Sequence, residues 1–435
     1  MSTSKITPSI LPGFMELLPK EQIVFNDMVE KITKVYKDNG FLAIDTPVIE
    51  KASVLLAKSA GETEKQVYQF TKGSKELALR FDLTVPFARY VAQHYNDLIF
   101  PFKRYQIGKV YRGERNQRGR YKEFYQCDVD IVGNGKLDQR NDALVVSTVY
   151  RALKSIGINE FKIQISNRKI LKGVIKQLEI ENEIEVMILI DKYDKIGKEA
   201  FEEELVKLIG KEKSDVIVDI IAIDGDNYQI ITKLNSLDIK DELFKLGVEE
   251  LDKVVKSLRA FGVSEDNLKI ELKIIRGLDY YTGTVFETLL TNNEGYGSIS
   301  SGGRYDNLAQ NYTDNLLPGV GMSIGLTRLF FVLSEIGFVD NYKACNYPEY
   351  LVIPIGDTFE YSAKVCSILQ DKGRSAEVYL EDDKFKKKMN YANKLNIKNV
   401  ILIGDEEAET EEITIKDMES GNQERIKLSD IDSRL

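Results

Sequence analysis

Residues 111–130 carry the sequence YRGERNQRGRYKEFYQCDVD, which decides the fold. Its charged centre is bracketed by Gly113 and Gly119, and strand-like segments lie on both sides. Glycines at the ends of a polar loop are typical of a hairpin turn. On the second strand, a period of two separates an apolar face from the face that carries Phe124, Gln126, Asp128 and Asp130. Residues 102–131 are therefore predicted to form a long antiparallel hairpin.

Upstream of the hairpin, residues 77–83 alternate between apolar and other side chains. This alternation predicts a strand with Leu77 and Leu79 on one face and Asp82 and Thr84 on the other. Pro86 is expected to begin the next helix, because proline is tolerated in the first helical turn.

Downstream, the sequence pattern changes twice. Residues 168–262 are rich in Lys, Glu, Ile and Leu at helical spacing, which indicates a helical insertion. Short apolar strands alternate with helices after Pro348, which indicates a small α/β domain. We therefore predict an α+β domain over residues 1–340, with its insertion at about 168–262, and an α/β domain over residues 348–435.

Charge and composition restrict the function. The net charge is −9, but eight basic residues cluster around the hairpin and offer a candidate surface for nucleic acid: Lys103, Arg104, Lys109, Arg112, Arg115, Arg118, Arg120 and Lys122. One histidine, His94, and three widely separated cysteines predict no zinc or other protein-held metal site. No long apolar run or targeting segment is recognised, so we expect no membrane contact and a cytoplasmic location.

The polar residues suggest a binding chemistry. Arginine at the root of a hairpin suits a triphosphate, because its planar guanidinium forms paired hydrogen bonds with phosphate oxygens. Phe124 can stack a purine, and Asp82, Gln126 and Asp130 can bind the amine and ring of an amino acid. Taken singly, each feature is equally compatible with a surface hairpin, a turn or a packed helix.

Three motifs together resemble the histidyl-tRNA synthetase family, within the class II aminoacyl-tRNA synthetases. The hairpin is similar to class II motif 2, and residues 319–329, GVGMSIGLTRL, are similar to motif 3. The pair RGLDYYTG, residues 276–283, and SGGRYD, residues 301–306, resembles the two peptides peculiar to this family. The resemblance implies a six-stranded antiparallel catalytic sheet, a homodimer and a C-terminal anticodon-binding domain.

The resemblance also implies residue roles. The histidine-binding residues fall on Asp82, Thr84, Gln126, Asp130, Tyr280 and Tyr281. The ATP-binding residues fall on Arg112, Arg120, Phe124 and Arg328. Arg112 and Arg276 take the catalytic positions beside the α-phosphate. Thr327 departs from the glutamate that many members carry there.

The implied reaction activates L-histidine with ATP to histidyl-adenylate and transfers the histidyl group to tRNA(His), with Mg²⁺ bound chiefly through the substrate phosphates. One alternative is a paralogue that serves as a non-catalytic regulatory subunit of ATP phosphoribosyltransferase. Such paralogues tend to lack the special arginine and the C-terminal domain, whereas this sequence has Arg276 and an α/β pattern after Pro348. A stand-alone histidine sensor is a second alternative, which the intact basic hairpin disfavours.

Overall fold

The computed structural model describes residues 6–57, 62–115, 117–275, 281–342 and 348–433. The chain forms two compact units. The larger unit comprises Met1–Leu18 and Met28–Asn341, and the smaller comprises Pro19–Asp27 and Tyr342–Leu435.

The described residues form both strands and helices. In chain order the strands are β1 Leu42–Ala43, β2 Ile49–Lys51, β3 Gln69–Lys72, β4 Lys75–Leu79, β5 Phe102–Tyr111, β6 Glu123–Val132, β7 Phe161–Asn167, β8 Leu268–Ile270, β9 Thr284–Leu290, β10 Ser300–Tyr305, β11 Gly319–Gly325, β12 Tyr350–Pro354, β13 Ala376–Val378, β14 Asn399–Ile403, β15 Glu412–Asp417 and β16 Gln423–Lys427. The helices are α1 Pro19–Asp38, α2 Ala52–Leu55, α3 Glu62–Gln66, α4 Thr84–Gln93, α5 Arg140–Ser155, α6 Arg168–Gln177, α7 Glu183–Asp191, α8 Tyr193–Ile196, α9 Lys198–Ile209, α10 Lys211–Ile221, α11 Asn227–Ser236, α12 Glu242–Ala260, α13 Leu326–Glu335, α14 Phe359–Asp371, α15 Phe385–Lys394 and α16 Asp405–Thr410.

The larger unit is built on a sheet with strand order β1-β5-β6-β11-β10-β9-β7-β8. Its six central strands, β5 to β7 in that order, are antiparallel, as predicted. Short parallel strands extend it at both edges, β1 beside β5 and β8 beside β7. Helices α5 and α13 pack against β11 and β6, so the predicted α+β fold is confirmed.

The hairpin of β5 and β6 forms as predicted. Its two ten-residue strands pair from Phe102 opposite Val132 to Tyr111 opposite Glu123. Cys127, Val129 and Ile131 are fully buried on one face of β6, and Asp128 and Asp130 are nearly fully buried on the other. The alternation therefore separates an apolar face from a polar face, and both are inside the protein.

The strand predicted over residues 77–83 is wrong in extent, and its more deeply buried face is the one that carries Arg80. Strand β4 ends at Leu79, and α4 begins at Thr84, two residues before Pro86. Ala78 and Arg80 are buried, whereas Leu77 and Leu79 remain half-buried. The reason is that Arg80 donates hydrogen bonds to the Lys109 carbonyl at 2.8 Å and to the Thr46 carbonyl, which holds this charged side chain inside the protein.

The segment between β7 and β8 contains the helices α6 through α12, followed by one short 3-10 turn. Helix α6 packs closely on α12, because Gly173 faces the backbone of Phe244 and Gly247 faces the backbone of Ile170. A Cβ atom at Gly173 would lie 2.4 Å from the Phe244 nitrogen, so this helix contact requires glycine. Helix α12 also packs against α5.

The smaller unit has a five-stranded sheet in the order β13-β12-β14-β15-β16. Strands β13, β12 and β14 are parallel, and β15 and β16 are antiparallel additions. Along β12, Tyr350 and Val352 pack with residues of α14, whereas Leu351 and Ile353 pack with Ala392 of α15. Both faces are covered, as expected for a sheet with parallel strands.

Candidate active site

A cleft of about 300 Å³ lies in the larger unit, between the loop of the hairpin and the strands β6, β9, β10 and β11. Its volume is at the lower end of the range for small-molecule sites, about 300–1,000 Å³. Of the side chains that the sequence assigned to ligand binding, the cleft is lined by Arg112, Arg120, Phe124, Gln126, Tyr281 and Arg328. The structure thus brings the proposed nucleotide residues together with part of the proposed amino-acid set.

A smaller cavity of about 20 Å³ shares Tyr281, Ser301 and Ser323 with the cleft. Two further residues from the predicted histidine-binding set, Thr84 and Asp130, line this cavity. The two spaces are therefore adjacent parts of one region, with arginine side chains around the cleft and two aspartates around the small cavity.

The guanidinium of Arg112 is held by three contacts. Its Nε atom donates to the Phe81 carbonyl at 3.2 Å. Its guanidinium carbon lies 4.3 Å from the centre of the Phe81 ring and 5.0 Å from that of Phe124. Arginine packed on aromatic rings is partly ordered before a ligand arrives.

The other two arginines of the cleft have protein partners as well. Arg120 pairs with Glu114 at 3.1 Å, and both residues line the cleft. Arg328, on α13, donates to the Tyr296 carbonyl. Thr327, the departure from the family pattern, is buried and accepts a hydrogen bond from the Tyr125 N–H at 2.8 Å. Its hydroxyl therefore ties α13 to β6.

Asp82 lies two residues before the start of α4 at Thr84, and its side chain is almost completely buried. Its Oδ1 atom accepts a hydrogen bond from the Val85 N–H at 2.9 Å, as a helix-capping residue does. Burial raises the pKa of the Asp82 carboxyl above its ordinary value, and the Val85 N–H and nearby Arg112 oppose that shift. A buried carboxylate at this position is suited to bind a cation.

The side chains of Gln126 and Asp130 differ in whether all of their polar atoms have hydrogen-bond partners in the protein. Gln126 donates from Nε2 to the Ser323 hydroxyl at 3.0 Å, and its Oε1 atom is buried without a hydrogen-bond partner among the described residues. Asp130 accepts from the Tyr305 hydroxyl at 2.8 Å and pairs with Arg104 at 2.7 Å.

Arg104 was predicted to belong to the basic surface, and this prediction is wrong. Its side chain is fully buried, with its guanidinium 4.3 Å from the Phe87 ring centre. It lies directly opposite Asp130 in the hairpin register and donates to the Leu83 carbonyl at 3.2 Å. Within the described part of that segment, Arg115, Arg118 and Arg120 are exposed.

Three residues near the cavities were not assigned from the sequence: Arg104, Asp128 and Tyr305. Asp128 shares its strand face with Gln126 and Asp130, so the period of two had already indicated its position. Tyr305 lies within the family peptide SGGRYD. Arg276 and Tyr280, which the sequence assigned to the site, lie outside the described residues.

No group of three or more His, Cys, Asp and Glu side chains among the described residues is placed to hold a metal ion. Cys127 and Cys366 are buried free thiols. No helix within the described ranges has the length and apolar character needed to cross a bilayer.

Comparison with known proteins assigns the chain to a family. A family model described as histidyl-tRNA synthetase matches residues 13–329, and one described as an anticodon binding domain matches residues 349–435. A histidine–tRNA ligase of Clostridium acetobutylicum is 62% identical over 428 residues, which cover 98% of this chain and 100% of that protein.

Solved structures agree with this assignment. The crystal structure of histidyl-tRNA synthetase from Nostoc has a TM-score of 0.89 and 36% identity, covering 99% of this chain and 100% of that one. An ATP phosphoribosyltransferase regulatory subunit/histidyl-tRNA synthetase from Bacillus halodurans has a TM-score of 0.78 at 21% identity, covering 92% and 100%, and shows the fold alone. The predicted family is confirmed: the chain belongs to the histidyl-tRNA synthetase family of class II aminoacyl-tRNA synthetases.

Proposed function

We propose that the chain is an aminoacyl-tRNA ligase that activates L-histidine with ATP and transfers it to tRNA(His). The observation that carries this proposal is the single cleft that gathers Arg112, Arg120 and Arg328 with Phe124, next to a cavity with acidic walls. The regulatory-subunit alternative has less support, because the relative that is 62% identical over its full length is a histidine–tRNA ligase.

ATP is proposed to bind in the larger cleft. The ring of Phe124 stacks the adenine, Arg112 contacts the α-phosphate, and Arg328 and Arg120 contact the outer phosphates. Arg276 is proposed, on family resemblance, to contact the α-phosphate as well. The attacking histidine carboxylate is already an anion, so the step requires in-line placement and charge neutralisation and no general base. Arginines supply both without consuming a proton.

Histidine is proposed to bind between the cleft and the small cavity. Asp82 and Thr84 bind the α-amino group, and Gln126 and Asp130 face the rest of the amino acid. Tyr280 and Tyr281 complete the pocket on the basis of resemblance. The buried, hydrogen-bonded Asp82 and the free Oε1 atom of Gln126 support these roles.

Mg²⁺ is proposed to arrive with ATP. The ion takes oxygen ligands and is commonly held by one or two carboxylates together with substrate phosphates. Glu114 and Glu287 line the cleft, so the side chains present fit such an ion. When bound, Mg²⁺ neutralises phosphate charge, and these carboxylates would hold it.

The predicted domain limits are kept as a proposal: a catalytic domain over residues 1–340 with its insertion at 168–262, and an anticodon-binding domain over residues 348–435. We also propose a cytoplasmic homodimer without membrane contact, on family resemblance. Light scattering on the purified chain would test the dimer.

Pyrophosphate exchange tests the proposed function directly. The full-length protein is expected to exchange labelled pyrophosphate into ATP when L-histidine is present, because only a bound amino acid can form the adenylate. The control reactions contain each of the other common amino acids in turn. Exchange of equal rate with another amino acid would contradict the substrate, and no exchange with histidine would favour the regulatory alternative.

Exposed lysines of α15 test the proposed anticodon reader. Of the four lysines at its start, Lys387 pairs with Asp383 at 2.8 Å and Lys388 donates to the Pro354 carbonyl at 3.0 Å. Lys384 and Lys386 are exposed and form the test pair. The logarithm of the tRNA association constant falls linearly with the logarithm of the salt concentration. Replacing both lysines with alanine is expected to make this fall shallower by about 1–2, since each phosphate contact contributes about 0.7–0.9 to its steepness.

The control is a double alanine variant of Lys398 and Lys427, two exposed lysines of the same unit outside α15. It is expected to keep the wild-type slope. Both variants should keep histidine-dependent exchange, because this step uses no tRNA. Identical slopes for the two double variants would show that α15 does not contact tRNA phosphates.

A further inference from the structure

Three charged side chains lie buried together below the small cavity: Arg104, Asp128 and Asp130. Arg104 Nη2 is 2.7 Å from Asp130 Oδ2 and 3.9 Å from Asp128 Oδ2. One cation therefore faces two carboxylates, and the closer one is Asp130. With the second Asp130 oxygen bound by the Tyr305 hydroxyl, both oxygens of that carboxylate have a donor.

The carboxylate of Asp128 has fewer hydrogen-bond partners than that of Asp130. Its side chain is only 3% exposed, and its Oδ1 atom has no hydrogen-bond partner among the residues that the structure describes. Asp128 also lines the small cavity, together with Thr84 and Ser323. A buried carboxylate oxygen without a donor is unfavourable unless a ligand supplies one.

We propose that Asp128 is a specificity-determining residue of the amino-acid pocket, whose free oxygen binds a ring nitrogen of the substrate imidazole. Arg104 is the positioning residue, because it fixes Asp130 and leaves Asp128 available. This inference rests on the proposed function and assigns a further contact within the same site.

The chemistry of imidazole gives the contact a particular form. Neutral imidazole has one N–H donor and one acceptor nitrogen, and the protonated ring has two donors. The ring N–H is directed to the free Oε1 atom of Gln126, which leaves the other ring nitrogen facing Asp128. The carboxylic acid donates to this nitrogen in a neutral ring, or the carboxylate accepts from it when the ring is protonated, so Asp128 and the ring share one proton. Burial, the largest effect, raises the pKa of Asp128 to about 7, close to the ordinary value of about 6.5 for imidazole.

Other charged and titratable groups face Asp128 from each neighbouring element. Arg104 and the nearby Ser323 hydroxyl lower its pKa, and Asp130 and Asp82 raise it. The remaining groups that interact electrostatically with it are Tyr36 of α1, Arg80 and Cys127. These groups determine the pH at which Asp128 loses its proton in the wild type, and the variant has no titration at this position.

The test is Asp128→Asn in the full chain, which keeps the shape and removes the titratable proton. In histidine-dependent pyrophosphate exchange at pH 7, KM for histidine is expected to rise about tenfold, the scale for a lost polar contact, while KM for ATP stays within about twofold of the wild-type value. The ratio of kcat/KM for histidine, wild type over variant, is expected to fall about tenfold per pH unit above about pH 7. Ionisations common to both proteins cancel in this ratio.

Asp142→Asn is the matched control. Asp142 is also fully buried and pairs with an arginine, Arg304, at 2.6 Å. Its variant is expected to keep the wild-type KM for histidine and to give a ratio independent of pH. An unchanged KM for histidine in Asp128→Asn, or a ratio that does not vary with pH, would overturn the inference.

A second measurement uses the wild-type chain alone, so it does not depend on how any variant folds. The probe is β-(1,2,4-triazol-3-yl)alanine, whose ring stays unprotonated near neutral pH. Its inhibition constant against histidine is expected to be constant below about pH 7 and to rise about tenfold per unit above it, because the shared proton must then come from Asp128. The titration of the α-amino group is corrected for with alanine as the reference ligand. A corrected inhibition constant of the triazole analogue that does not change from pH 6 to 9 would overturn the inference. Absence of histidine-dependent exchange in the wild type would instead refute the proposed function.

Discussion

Replacing Arg112 with alanine is expected to slow histidine-dependent pyrophosphate exchange by about 10²–10³, as for loss of one preorganised donor to a developing charge. Contacts with the Phe81 carbonyl and with the rings of Phe81 and Phe124 hold its guanidinium at the wall of the cleft. The loss should appear mainly in kcat at saturating histidine and ATP, because the α-phosphate gains its additional charge density in the transition state.

A lysine at position 112 separates geometry from charge. Lysine keeps the positive charge but has no planar fork, so Arg112→Lys is expected to recover little of the lost rate. The control is Arg118→Ala, in the same loop, because Arg118 is exposed and pairs with Glu335 of α13. It should retain exchange within about threefold of wild type. A fully active lysine variant would show that charge alone acts at position 112, and a fully active alanine variant would remove Arg112 from the proposed site.

Local patterns in the sequence predicted the hairpin and much of the side that lines the cleft and the small cavity. A period of two along β6 was sufficient to place Gln126 and Asp130 on one face with Phe124. The smaller unit was predictable for the same reason, since short apolar strands and helical segments differ in period. Such periodic patterns depend only on residues close in sequence. They predict a strand or helix reliably when that element buries a single face.

Arg104 and Arg80 show where this reasoning fails. The sequence placed Arg104 in a basic surface, and the alternation along residues 77–83 did not indicate that Arg80 is buried. Their burial is determined by partners distant in sequence, Asp130 for Arg104 and the carbonyls of Thr46 and Lys109 for Arg80. A buried charge is stable only with such partners, and periodicity within one segment carries no information about them.

Asp82 has one observed contact and one proposed role, which single substitutions can separate. As a carboxylate it is proposed to bind the substrate ammonium, and as an acceptor it caps α4 through the Val85 N–H. Asp82→Asn keeps an oxygen for the cap and loses the charge. We expect it to weaken histidine binding by ~2–5 kcal/mol, the range for breaking a buried charge pair, with little change in melting temperature. Asp82→Ala loses both functions, and its stability should fall by a further ~0.5–2 kcal/mol.

A histidine analogue without the α-amino group provides the control for Asp82. Imidazole-4-propionate keeps the ring and the carboxylate but has no ammonium for Asp82 to bind. Its inhibition constant in pyrophosphate exchange is expected to be the same, within about threefold, for wild type and Asp82→Asn, whereas KM for histidine differs by at least about thirtyfold, which is ~2 kcal/mol. The two ligands share every other contact, so the difference isolates the ammonium. If Asp82→Asn weakens both ligands equally, Asp82 acts through the cap of α4 and the order of the pocket. If it weakens neither, Asp82 does not bind the substrate ammonium.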